Sequence, residues 1–358
     1  MKLNITLEQA LEKASPILRE KMIRSVELIK KAEKLSLLYD QDNGFWLAFS
    51  AGKDSQALYH ITELSGVKFK AHFSPTTVDP PQLIKFLKRS YPEAEIGRVT
   101  KNIYDLAVEK QILPTMRVRW CCAEFKEMAG AGKVTLIGIR HAESARRAKR
   151  NEVEISNRKF SGNFEQFTEW QEEKIRKKYK NLNQDQFSYD KTQEVRCIGG
   201  KDSILVSPII DWEERDVWEF LNKVCEVPHC ELYDKGYHRI GCILCPMSQY
   251  KQKLKECRDF PYVKAKWIDA IKRIRMGGVF KDEYIWWSIR KDNTTDRQNG
   301  GGNNGSCLGM AGQARSKVAI LQTKALSRKP LRRCESMGGG KKCNCGRTEE
   351  FGETGDYP

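Results

Sequence analysis

No run of about 18 consecutive apolar residues occurs in this 358-residue chain, so it offers no helix to span a membrane. From Met1 to Glu12 the pattern is polar and helix-like, without the apolar stretch of an export signal, and the cytoplasm is the expected location. Histidine is scarce. The five present, His60, His72, His141, His229 and His238, form no triad-like spacing and are expected to be structural. Acidic residues are in deficit, 47 against 63 lysines and arginines, for a formal net charge of +16. Such an excess attracts polyanions: nucleic acid, nucleotides, sulfated or phosphorylated small molecules. It does not choose between them.

Cysteine, by contrast, is plentiful. The 12 cysteines of a chain without an export signal are not expected to form disulfides. Two clusters stand out, Cys121-Cys122 and Cys242-x-x-Cys245. Adjacent cysteines bridge each other only through a strained ring, so metal or cluster ligation is the better reading. The alternative is that Cys242 and Cys245 alone pair as a redox dithiol. Cys197, Cys225, Cys230 and Cys257 are isolated and expected to be ordinary half-buried residues.

With 40% hydrophobic and 31% charged residues, the chain can bury the core of one large domain or two modest ones. Residues 1–40 read as helices, with Thr6 as one N-cap and Ser15-Pro16 as a second; Leu18, Met22, Val26 and Ile29 form an apolar stripe. Phe45 to Phe49 is a short apolar run suited to a buried parallel strand. A helix over Gln56–Leu64, a strand over Val67–Phe73, a helix over Leu83–Tyr91 and a strand over Val134–Ile139 follow. This alternation predicts an α/β fold, a doubly wound and mostly parallel sheet with ligand sites at strand C-terminal ends. Ile204–Ile210 reads as a further strand. Trp212–Val224 and Phe260–Arg290 read as helices, with Trp212, Trp218, Phe220, Trp267, Ile271 and Ile274 facing the core. The nucleotide domain is thus placed at 41–290, with 151–201 as an insertion that offers surface for another macromolecule. Residues 291–358, with glycine tracts at 299–305 and 338–340, read as a basic, mostly disordered tail with one short helix at 318–326.

Ser50-Ala51-Gly52-Lys53-Asp54-Ser55 lies directly between a predicted strand and helix. Free N–H groups at a helix start, helped by the helix dipole, bind anions. Gly52 permits close backbone approach or a positive φ. Lys53 reaches phosphate oxygens, Ser50 and Ser55 donate to them, and Asp54 is expected to cap the loop. The pattern is not that of a Walker A loop.

Further along come Arg119-Trp120-Cys121-Cys122 with Lys126, and Gly138-Ile139-Arg140 with Glu143-Ser144 and Arg147. Leu232-Tyr233-Asp234-Lys235-Gly236-Tyr237, Arg239 and Gly241-Cys242-Ile243-Leu244-Cys245-Pro246 complete the series. In order and spacing these segments resemble the phosphoadenosine phosphosulfate (PAPS) and adenosine phosphosulfate (APS) reductase family of the PP-loop adenine nucleotide α-hydrolase superfamily. The resemblance covers roughly residues 40 to 265. It implies an adenine nucleotide site on the PP-loop, usually written SGGKDS, with Ala51 at the first glycine. It implies that Cys121, Cys122, Cys242 and Cys245 ligate a [4Fe-4S] cluster; four thiolates also suit tetrahedral zinc. Lys126 and Arg140, joined by Arg147 and Arg239, would surround the nucleotide's anionic group. Glu143 and Ser144 are expected to orient an arginine or cap a helix. A homodimer is a family-level expectation.

Two departures bear on activity. The reductases resemble each other in a C-terminal Glu-Cys-Gly-Ile/Leu-His motif whose thiolate attacks the substrate sulfur. This chain has Lys341-Lys342-Cys343-Asn344-Cys345-Gly346-Arg347, which keeps Cys-Gly and lacks the glutamate and histidine. Cys345 is the candidate nucleophile, its thiolate favoured by the basic neighbours; a basic tail with stray cysteines is the competing reading. Thr76-Thr77-Val78-Asp79-Pro80-Pro81 stands where the family often carries DTG…PE, which leaves ribose and adenine recognition open. Two activities follow. One is reduction of APS or PAPS to sulfite, with a thioredoxin-like reductant. The other is ATP pyrophosphatase chemistry, with Mg2+ and a sulfur donor, adenylating an acceptor for sulfur insertion into nucleic acid, as in DNA phosphorothioation or tRNA thiolation. A regulatory module that kept the loop and lost turnover is the non-enzyme alternative, against which intact Lys53 and the four cysteines argue.

Overall fold

The computed structural model describes residues 2–127, 129–156, 159–178 and 202–274. Its N-terminal helices begin where the caps predict. The Thr6 hydroxyl accepts from the Gln9 N–H while the Gln9 side chain accepts from the Thr6 N–H, starting α1 (Leu7–Lys13). Ser15 caps α2 (Pro16–Tyr39), with proline at the first helical position. Leu18, Met22, Val26, Ile29 and Ala32 of α2 are buried, and the helix lies across the sheet beside α3 (Lys53–Ser65).

Among the described residues the sheet has seven strands: β1 (Phe45–Ala48), β2 (Phe69–Phe73), β3 (Glu95–Ile96), β4 (Val134–Leu136), β5 (Val153–Ile155), β6 (Ser161–Gly162) and β7 (Ile204–Val206). Their spatial order is β3-β2-β1-β4-β7-β5-β6. From β3 to β7 every pairing is parallel; β5 is antiparallel to both β7 and β6. The expected doubly wound, mostly parallel sheet is therefore present. Chain order reverses at β1, with β2 on one side and β4 on the other. The C-terminal ends of β1 and β4 form the switch-point crevice where such sheets take ligands.

Several elements differ from expectation. The strands expected to run to Ile139 and Ile210 end at Leu136 and Val206, and the residues beyond turn over the C-terminal edge. The helix expected over Trp212–Val224 is α-helical only over α8 (Glu214–Glu219) and continues as a π-turn through Val224. Trp212 precedes it, buried, and donates its indole N–H to the Ser25 hydroxyl of α2. Helices α4 (Pro81–Ser90) and α5 (Ile103–Lys110, capped by Asn102) follow β2 and β3. The expected C-terminal helix is the second of two, α9 (Tyr250–Asp259) and α10 (Pro261–Arg273), with Trp267 and Ile271 buried where α10 packs on α5. Part of the segment read as an insertion is woven into the fold: it supplies β5, β6 and α7 (Phe164–Lys178), whose Phe167 is fully buried. Residues 179–201 lie outside the described residues, as do 275–290 of the helix expected over Phe260–Arg290, the tail, its expected helix and Cys345. Among the described residues no helix is long and apolar enough to cross a membrane.

One ion pair ties α2 to α8: Lys21 Nζ lies 2.5 Å from Asp216, whose side chain is only 3% exposed. Removing one partner of a buried pair leaves an uncompensated charge. Lys21→Met is accordingly expected to lower unfolding free energy by about 3 kcal/mol in urea titrations. A loss below about 0.5 kcal/mol would mean that the Glu213 N–H, which also bonds Asp216, suffices to hold this carboxylate.

Candidate active site

β1 delivers the chain to the switch point, and the loop Ser50–Ser55 turns it into α3. Positive φ falls on Ala51 (55°), not on Gly52, whose backbone is extended (φ −80°, ψ 160°). A Cβ at Gly52 would meet the Tyr233 hydroxyl at 3.4 Å and Ser50 Oγ at 3.5 Å, ordinary contact distances, so neither expected glycine requirement is imposed here. Ser55 Oγ accepts the Ser50 N–H at 3.1 Å and donates to the Gly52 carbonyl at 2.9 Å, folding the loop back on the helix start. Ser50 is exposed, whereas Ala51, Gly52, Lys53 and Ser55 are buried.

Lys53 is the first residue of α3 and only 4% exposed. Its ammonium donates to the His238 carbonyl at 3.2 Å and lies 3.5 Å from Asp54 and 3.6 Å from Glu214. Its backbone N–H, free of any intrahelical partner at this position, donates to the Tyr233 hydroxyl at 2.8 Å. Burial pushes the Tyr233 phenol up, so it stays neutral.

Asp54, expected to cap the loop, is held from the side. Arg140 Nε donates to its carboxylate at 2.7 Å, and the same guanidinium donates to the Trp212 carbonyl at 3.3 Å. Arg140 is 3% exposed, so the residue expected at the nucleotide's anionic group is committed to fixing the first turn of α3. Gly138, just past β4, makes this approach feasible: a Cβ there would lie 3.0 Å from the Asp54 carbonyl oxygen. Glu143 accepts the Arg140 N–H at 3.0 Å and pairs with Arg147, and Ser144 Oγ accepts the Arg147 N–H at 3.2 Å. Arg147 is thus tied to its own segment.

The cysteines come from two places. Cys121 and Cys122 lie on the single turn α6 (Trp120–Cys122); Cys242 and Cys245 lie in the loop before α9. Arg119 donates to Cys122 Sγ at 3.2 Å and Lys126 to Cys242 Sγ at 3.5 Å. The Cys121 thiol donates to Cys122, which with help from Arg119 pulls the Cys122 thiol down. The same bond, then burial and the charges of Cys122, Cys242 and Cys245, pushes Cys121 up. Burial and Cys242 push Cys245 up, and the exposed Arg239 opposes that rise. The proximity of Cys242 raises Lys126. All four thiols therefore share one electrostatic neighbourhood. Among the described residues, no three His, Cys, Asp or Glu side chains stand close enough to hold a metal ion. The donor set itself, four thiols ringed by Arg119, Lys126 and Arg239, fits a thiolate-bound cluster or zinc.

Residues outside the expected set shape this region. Cys242 Sγ donates to Thr76 Oγ1 at 3.4 Å, and the Ile243 N–H donates to the Val78 carbonyl at 2.8 Å. Asp79 holds Thr76 through its N–H at 2.6 Å and its hydroxyl at 2.9 Å. The segment that departs from DTG…PE is therefore the seat of the second cysteine pair. Glu256, 3% exposed, accepts the Leu244 N–H at 2.6 Å from behind, and Lys253 donates to the Pro246 carbonyl at 3.1 Å. The isolated Cys225 and Cys230 are buried and Cys257 half-buried; Cys197 lies outside the described residues. His60 is structural, bonded to Glu63 and Tyr91.

A parallel core with a Ser-Ala-Gly-Lys-Asp-Ser loop at its switch point defines a PP-loop α/β protein built to handle a nucleotide. Residues 44–248 match the phosphoadenosine phosphosulfate reductase domain family, and the chain belongs to that family. An uncharacterized protein of Methanocaldococcus jannaschii is 25% identical over 292 residues, 79% of this chain and 62% of that protein. The chain thus spans less than two thirds of the length of this relative. An adenosine 5′-phosphosulfate reductase of Oceanobacillus iheyensis is 51% identical over 43 residues, 12% of this chain and 18% of that enzyme. A probable FAD synthase of Caenorhabditis elegans is 50% identical over 36 residues, 10% of this chain and 7% of that enzyme. Among solved structures, Candida glabrata FMN adenylyltransferase aligns with a TM-score of 0.36 and 15% identity, covering 68% of this chain and 72% of that one.

Two substitutions probe the loop in opposite directions. Ala51→Gly relieves a left-handed alanine and is expected to raise unfolding free energy by up to about 1 kcal/mol. Gly138→Ala drives a Cβ against the α3 backbone and is expected to cost about 1–3 kcal/mol in the same urea titration. Equal stability of all three proteins would show that the loop relaxes freely around both positions.

Proposed function

We propose that the chain binds an adenine nucleotide with its phosphates on the PP-loop and reduces an adenylyl sulfate, APS or PAPS, to sulfite. AMP or adenosine 3′,5′-bisphosphate leaves. The observation that carries this reading is the clamp between cradle and cysteines. Lys53 bonds the His238 carbonyl and the Tyr233 hydroxyl, and the same stretch of chain runs on into Cys242 and Cys245. The segment that closes on the cradle thus also carries the second cysteine pair.

In this reaction a cysteine thiolate attacks the sulfur, the bond between sulfur and the phosphate oxygen breaks, and the nucleotide departs with that electron pair. A thioredoxin-like dithiol then attacks the S-sulfonated cysteine, releasing sulfite and ending as a disulfide. Cys345 is assigned as the attacking thiolate, with Lys341, Lys342 and Arg347 favouring the anion. Lys53 and the first N–H groups of α3 hold phosphate oxygens. Arg140 keeps Asp54 away from those oxygens, since a free carboxylate there would repel them. Lys126 and Arg239 supply positive charge on the cysteine side. Cys121, Cys122, Cys242 and Cys245 would hold a [4Fe-4S] cluster, or zinc. Such a group would supply a cross-link between the two cysteine segments and, for the cluster, a redox-active centre.

A second reading is favoured by the missing glutamate and histidine around Cys345 and by the +16 charge. It is cleavage of ATP, with Mg2+, to pyrophosphate and an adenylated acceptor such as nucleic acid, followed by sulfur transfer. The local identity to a probable FAD synthase is compatible with it.

The test is turnover of APS, PAPS and ATP in parallel, on protein purified without oxygen, with excess thiol and both sulfite and pyrophosphate quantified. Sulfite from APS or PAPS with ATP inert is expected. Pyrophosphate from ATP without sulfite would move the assignment to the second reading. Cys345→Ser is expected to lower sulfite release at least about 100-fold; unchanged turnover would remove the tail from the mechanism.

A further inference from the structure

The first N–H of α3 is the donor that a bound phosphate needs, and it is engaged. Tyr233 takes it at 2.8 Å, with the phenol oxygen only 3.4 Å from where a Gly52 Cβ would stand. A phosphate oxygen accepting the same N–H must lie within about 3 Å of it, in the space the phenol fills. The ammonium of Lys53 is likewise engaged, by the His238 carbonyl. Both contacts come from one segment, which begins at the buried Cys230 and Leu232 and ends at Cys242. Trp218 abuts the Tyr233 ring edge-on with centroids 5.0 Å apart, which backs the phenol from one side. Gly236, at φ 76°, gives the segment a point about which it can bend.

We propose that Tyr233 is a nucleotide-site residue whose hydroxyl competes with phosphate for the Lys53 N–H, so that nucleotide binding draws the Tyr233–Ile240 segment off the PP-loop and loosens the attached Cys242–Cys245 loop. The inference rests on the nucleotide reading above. An anion is the better ligand for the helix start: it gains the dipole and the Lys53 charge, whereas the neutral phenol gains one hydrogen bond. The exchange is therefore favourable when nucleotide is present. Its structural consequence falls on the cysteines, because the far end of the segment carries them, held there by Lys126, Thr76, Val78, Glu256 and Lys253. Phosphate occupancy and thiol access are coupled through twelve residues of chain, Tyr233 to Leu244.

Two measurements decide it. Calorimetric titration with ATP and with APS is expected to give Tyr233→Phe about fivefold tighter binding than the parent chain, since the competing hydroxyl is gone and the ring packing kept. Equal or weaker binding would overturn the competition, and weaker binding would make the phenol a phosphate donor. Hydrogen exchange on the unsubstituted protein is the second, and it stands whether or not the variant folds. On nucleotide addition, residues 52–56 should gain protection while 233–244 lose it. Joint protection of both segments, or no change in 233–244, would overturn the coupling. Absence of binding to the parent chain by either nucleotide would instead sink the nucleotide reading itself, and this inference with it.

Discussion

The unpaired N–H groups at the start of α3 set the terms for the residues around them. A helix start buried at a strand crevice needs its polar groups engaged, and here the partners come from three directions. Gly52 and Ser55 close the loop on itself, Tyr233 takes the Lys53 N–H, and Arg140 pins the Asp54 carboxylate away from the open side. Each partner imposes a requirement of its own. Arg140 can reach Asp54 only because Gly138 lets the chain after β4 run against the α3 backbone. Tyr233 can reach Lys53 only because its segment folds over the crevice, which in turn brings Cys242 and Cys245 beside the Thr76–Asp79 turn. Cradle and cysteine site are thus consequences of one helix terminus.

The charge arrangement follows the same logic. Lys53 is buried among Asp54, Glu214 and a carbonyl, a setting that holds the ammonium near the loop without committing it to one carboxylate. The arginines after β4 are mostly paired: Arg140 with Asp54, Arg147 with Glu143, Arg150 with Glu154. Positive charge facing the thiols comes instead from Arg119, Lys126 and Arg239, residues near the cysteines in sequence. The family's basic motif is divided here between residues that shape the cradle and residues that flank the sulfur chemistry.

Local patterns made most of this legible beforehand. The loop between β1 and α3 and the caps at Thr6 and Ser15 each occupy a few adjacent residues, and each lies where expected. What escaped was long-range. The Asp54–Arg140 pair spans 86 positions and the Lys53–Tyr233 bond spans 180, so nothing in either neighbourhood announces them. The role of Thr76–Asp79 was hidden for the same reason: the segment was read for what it lacks against the family, while its partner is 166 residues away. Strands of three and two residues, β5 and β6, are too short for their alternation to stand out in a charged stretch that reads as a surface insertion.

Those two short strands do something a longer pair would not. A parallel sheet ends in rows of unsatisfied backbone groups that invite another chain to add itself. Here β7 is covered by the antiparallel β5, and β5 by the two residues of β6, so the row shrinks to almost nothing on that side. On the other side β3 is also two residues long, and its Glu95 pairs with Lys70 of β2. Among the described residues, a second chain would find only two-residue strands to pair with at either margin of the sheet.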